Sequence, residues 1–90
     1  MTVTLPVIHI NGTSAKTLKD EILVAADAIR EARKALENMT VHSRDHYVKH
    51  DKQSFEFARN EHIARLKALD TIREELSELW DGINAQETGR

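Results

Sequence analysis

The 90-residue chain has no cysteine, one proline, three glycines and few aromatic residues, 4% of the total. Without cysteine, neither a disulfide nor a thiolate-bound metal can brace so short a chain, and a cytoplasmic setting is expected. Three glycines leave little material for a phosphate-cradling loop or a nucleophile elbow, and no HExxH occurs, so the expectation is a protein that is not an enzyme and holds no cofactor. The opening MTVTLPVIHI has no basic stretch and no long apolar run, so neither a signal peptide nor a membrane span is expected. No sign of charge dominates: the net charge is −2, and general affinity for nucleic acid, which needs a basic field, is disfavoured.

What the chain does have is charge of both signs, 31% of residues, laid over helical spacing. From Ser54 to Ile83 the residues Phe55, Ala58, His62, Leu66, Leu69, Ile72, Leu76, Leu79 and Ile83 follow one another at steps of three and four. That is one apolar seam along a helix expected over about 52–82. Upstream, Leu18, Ile22, Ala25, Ile29, Ala32, Leu36 and Met39 repeat the pattern on a helix expected over about 14–39. Leu23 and Val24 fall off that seam and suggest a second packing surface.

Residues 1–13 are rich in β-branched types and contain the single proline, Pro6, so they read as an extended N-terminal arm. A lone extended segment must find partners for its backbone, in a copy of itself, in another irregular segment or on the helices. Asn11 and Gly12 signal a turn, and Thr13 or Ser14 offers a cap to the first helix. Residues 84–90 read as a polar, frayed tail.

The expected architecture is all-α: an antiparallel two-helix hairpin over 14–83. Two helices share one seam and enclose no interior, so Leu23, Val24, Phe57, Ile63 and Trp80 stay partly wet. A chain this small gains stability by covering such side chains, and a homodimer or higher homo-oligomer, forming a helical bundle, is expected.

Several groups are candidates for chemistry. His42, His46 and His50 are spaced by four with Asp45 and Asp51 close by, a pattern able to ligate zinc or nickel if helical; a polar connecting loop is the plainer reading, and no metal is assigned. Arg44, Asp45, His46 and Tyr47 join a planar cation, a carboxylate, an imidazole and an aromatic ring, which suits a phosphate, a ribose or base edge and a base face. Asn11, Thr13 and Ser14 stand at a helix N-terminus, where free amides favour anions. With Arg59 and Arg65 these residues form the expected ligand-binding set, for an anionic nucleotide-like molecule. His62 on the seam reads as a satisfied imidazole; the acidic end of the second helix (Asp70, Glu74, Glu75, Glu78, Asp81) reads first as a solvated face, and otherwise as a face met by cations such as Lys16 and Lys19.

The order VIHINGTS, an alanine-rich amphipathic helix, SRDHY and then FEFARNEHIARL resembles a group of small phage-encoded proteins with an opening LNGTS, a central RDYY and an EH-x-ARL stretch. His46 stands where that group has the first tyrosine of its central motif. The resemblance implies a compact phage accessory protein in the host cytoplasm. By analogy with other small helical phage proteins, it further implies sequestration of a host immune nucleotide signal without degradation. The competing expectation is an adaptor or inhibitor that docks its exposed apolar stripe on a protein partner.

Overall fold

The computed structural model describes residues 3–9, 11–40 and 52–88. Two helices, α1 (Ala15–Glu37) and α2 (Lys52–Thr88), pack against each other, and there is no strand among the described residues. The molecule is a rod of 63 × 21 × 18 Å with a radius of gyration of 19.2 Å. A compact chain of this length would have about 12 Å.

Helix α1 begins at Ser14, whose extended backbone and Oγ, accepting the Thr17 N–H at 3.1 Å, supply a side-chain N-cap. It stops at Asn38, whose N–H reaches the Lys34 carbonyl, with Lys34 favourably placed in the last turn. Helix α2 has 37 residues, about 55 Å, against 23 residues and about 35 Å for α1.

Two polar contacts fix the antiparallel register. Lys19 meets Asn84 and Arg33 meets Asp70, a step of fourteen residues on each helix, or two heptads without a slip. In this register Glu37, the last residue of α1, stands level with Leu66, so residues 52–65 of α2 project beyond the end of α1.

The core is thin. Among the described residues only Ala15 and Ile83 are buried, while Val24 is 71% and Phe57 62% exposed. The α2 seam matches its spacing, with Phe55, Ala58, His62, Leu66, Leu69, Leu76 and Leu79 half-buried; Ile72 lies just outside it. On α1 the seam is displaced by one residue at two steps: Ala26 and Arg33 are half-buried, and Ala25 and Ala32 are exposed. At the second of these steps the half-buried residue is Arg33, whose guanidinium grips Asp70 through Nε (2.6 Å) and Nη2 (3.1 Å).

Where the sequence suggests a polar tail after Ile83, α2 runs on to Thr88. The added turn is held from both sides. Lys19 Nζ bonds Asn84 Oδ1 at 3.0 Å and Glu87, and lies 5.1 Å from the centre of the Trp80 ring. Lys19 thus pairs with Glu87, beyond the acidic run from Asp70 to Asp81, while Lys16 pairs with Asp20 on its own helix.

The arm drapes over that same turn. The Gln86 side chain accepts the Ile8 N–H through Oε1 (3.0 Å) and donates to the Pro6 carbonyl through Nε2 (2.7 Å), satisfying backbone groups as a neighbouring strand would. Leu5 lies over Gly82, where a Cβ would come within 2.5 Å of it.

Candidate ligand-binding site

The arm, the start of α1 and the end of α2 enclose an open hollow of about 720 Å³, lined by Ile8, His9, Gly12, Ser14, Ala15, Gln86 and Glu87. Its geometry follows from the local sequence. The Gly12 N–H donates to the His9 carbonyl at 3.1 Å and closes a turn. Gly12 lies so close to the His9 ring that a Cβ would meet Nε2 at 2.9 Å. Asn11, Thr13 and Ser14 are exposed at this end, and Ser14 Oγ is bonded to the Thr17 N–H and Oγ1.

The hollow has mixed electrostatics. The N-terminal amides of α1 favour an anion. Glu87 opposes one, and its charge is offset by Lys19, with which it forms an ion pair. Ser14 and Gln86 line the hollow as uncharged polar groups, the Ser14 hydroxyl donating to Thr17 Oγ1 and Gln86 Nε2 to the Pro6 carbonyl.

The other residues expected at the site lie elsewhere. Arg59 and Arg65 are exposed on the opposite half of α2, and Arg65 Nη2 reaches Glu61 at 4.0 Å. Arg59 is 27 residues from Gln86 on one continuous helix, about 40 Å away, so a single chain does not bring Arg59 and Arg65 to Asn11, Thr13 and Ser14. Arg44, Asp45, His46 and Tyr47 lie outside the described residues, as do His42, His50 and Asp51.

Among the described residues no group of three or more histidine, aspartate or glutamate side chains is placed to hold a metal. His62 is half-buried on the seam, but its Nδ1 has no hydrogen-bond partner, in contrast to the satisfied imidazole its position suggests. It stands in the part of α2 that projects beyond α1, where the described helices offer no facing polar group. The Trp80 Nε1 is likewise buried and unpartnered.

A second concavity runs between the helices on one side. Ile22, Leu23 and Ala26 form the α1 wall of an open groove of about 640 Å³, and Leu76, Ser77 and Trp80 with the charged Asp70, Arg73, Glu74 and Asp81 form the α2 wall. The sequence gives no direct sign of either concavity. Gln86 sits in what reads as a frayed tail, and its one signal is that it follows Ile83 at a helical step of three.

The fold defines an all-helical antiparallel hairpin carrying an arm, and no described helix is long and apolar enough to cross a membrane. Compared with known proteins, the chain matches no family model, no curated protein and no solved structure.

Proposed function

We propose that this chain is a non-enzymatic, self-associating phage accessory protein that works in the host cytoplasm by binding and sequestering an anionic nucleotide-like signalling molecule. The observation that carries the reading is the hollow at the N-terminus of α1. It presents the first amides of α1 to an open space of about 720 Å³, within the range of small-molecule sites. The thin core supports self-association, since Leu23, Val24 and Phe57 are each more than half exposed.

Thermal shift with a panel of cyclic dinucleotides and ADP-ribose derivatives tests the ligand. A stabilising member is expected, and chromatography after denaturation recovers it intact. No shift from any member at saturating concentration, or recovery of a cleaved product, overturns the reading. Sedimentation at micromolar concentration tests the association, and a well-folded lone subunit is the contrary result.

The exposure of Val24 and Phe57 favours a second reading, an adaptor or inhibitor that docks these apolar faces on a protein partner. Val24 and Phe57 shielded from labelling in the pure protein would remove its support.

A further inference from the structure

One strip of α2 follows steps of three and four from Arg59 through Ile63, Lys67, Asp70, Glu74 and Ser77 to Asp81. Its second half is the α2 wall of the groove. Its first half, where α2 reaches the end of α1 and runs past it, is exposed, including Ile63 at 39%. Charge is segregated along the strip, with Arg59 and Lys67 on one side of Asp70 and Glu74 and Asp81 on the other.

The order is self-complementary when reversed about Asp70. Arg59 and Asp81 are each eleven residues from Asp70, and Ile63 and Ser77 are each seven. Lys67 is three residues before it and Glu74 four after. Reversal therefore sets cation against anion at both ends and an exposed isoleucine against the small serine of the groove wall. An isologous two-fold interface needs this kind of pattern.

We propose that the strip is a docking surface for a second copy of this chain, paired antiparallel along α2 about a two-fold axis at Asp70. Ile63 of each copy seats in the groove of the other, beside Ser77, Leu23 and Trp80, as a knob enters a hole. Arg59 faces Asp81 and Lys67 faces Glu74. The two Asp70 carboxylates meet near the axis, each already engaged by its own Arg33 with Arg73 nearby, so their mutual repulsion is offset. Charge complementarity selects a second copy over an unrelated helix, because the groove carries three acids, Asp70, Glu74 and Asp81, against the one cation Arg73, and the basic, apolar half-strip that fits it is on the same chain.

The pairing has a consequence for the hollow. Arg59 of one copy comes level with Asp81 of the other, five residues or about 8 Å of helix from Gln86. A cation and the N-terminus of α1, about 40 Å apart in one chain, then come near each other between two.

The inference rests on the self-association in the proposed function and is tested apart from it. Sedimentation equilibrium is measured for the full chain, for Arg59→Glu/Lys67→Glu, for Glu74→Lys/Asp81→Arg and for an equimolar mixture of the two variants, with circular dichroism confirming helix content. Each variant alone is expected to weaken association about tenfold or more at low salt, and the mixture, attractive in both halves, to recover it. Wild-type association retained by either variant, or a mixture as weak as its components, overturns this interface and leaves self-association standing through another face. A wild-type chain that sediments as a lone subunit removes both.

Oxidative cross-linking gives an independent measurement, because the chain has no cysteine of its own. A mixture of Arg59→Cys and Asp81→Cys copies is expected to form a disulfide-linked dimer. Arg59→Cys alone is not, since two-fold pairing holds those positions about 33 Å apart along the axis. Cross-linking of Arg59→Cys with itself, or none in the mixture, contradicts the antiparallel arrangement.

Discussion

Leu5 occupies the space that a side chain at Gly82 would need, with its Cδ2 2.5 Å from where a Cβ would sit. Glycine in a helix interior costs roughly 0.5–1 kcal/mol relative to alanine, so Gly82 represents helix stability given up to let the arm lie down. Gly82→Ala is therefore expected to displace Leu5 and abolish hydrogen-exchange protection at the Ile8 amide. In a Leu5→Ala background the conflict is gone, and Gly82→Ala should stabilise the helix by about 0.5–1 kcal/mol in urea denaturation. Full protection of Ile8 in Gly82→Ala would show that the arm does not depend on this close approach.

The Arg33–Asp70 pair makes stability depend on acid. The Arg33 guanidinium, hydrogen-bonded to Asp70, holds that carboxyl below its ordinary value of 3.8. A carboxylate with a lowered folded pKa contributes stability that is present above the unfolded value and lost as pH falls through the folded one. The melting temperature is thus expected to fall as pH drops below about 4, and Asp70→Asn should show a shallower acid limb and lower stability at neutral pH. Superimposable pH profiles for the two proteins would remove the pair from the stability of the hairpin.

Ile83 is 1% exposed and is the largest fully buried side chain described. Ile83→Ala should cost about 2–5 kcal/mol in urea denaturation, a large fraction of what a domain of this size possesses. Val24→Ala, at a position 71% exposed, is expected to change stability by under about 0.5 kcal/mol. Equal effects at the two positions would mean that the core is not where α1, α2 and the arm converge.

Ser14 separates the capping role from the proposed binding role. Ser14→Ala removes the acceptor for the Thr17 N–H and should cost about 1 kcal/mol. Ser14→Asp keeps a good cap, so thermal denaturation should be close to wild type, but it brings a negative charge to the edge of the hollow. Calorimetric titration with whichever nucleotide stabilises the wild type should show at least about tenfold weaker binding to Ser14→Asp. Unchanged affinity would place the ligand elsewhere.

The spacing of apolar residues specified both helices and the seam of α2, because these depend on residues three or four apart on one helix, while the first cap was narrowed to Thr13 or Ser14 and the structure has Ser14. It misplaced part of the α1 seam, where alanines at 25 and 26 are equivalent to any local reading and Arg33 counts as polar although it is half-buried. Of the residues that line the hollow the sequence singled out Ser14 but not Gln86, and it gave no sign of the distance that separates Ser14 from Arg59 and Arg65.

The sequence by itself determined that the chain is helical, that it has two amphipathic helices too few to enclose an interior, and that disulfides cannot compensate. Only the tertiary structure decided the register, the extension of α2 to Thr88 and the resting place of the arm. Those outcomes turn on contacts between residues far apart in the chain, Lys19 with Asn84, Arg33 with Asp70, Ile8 with Gln86. Their strength comes from distance and orientation in space, quantities that a periodicity along the chain does not encode.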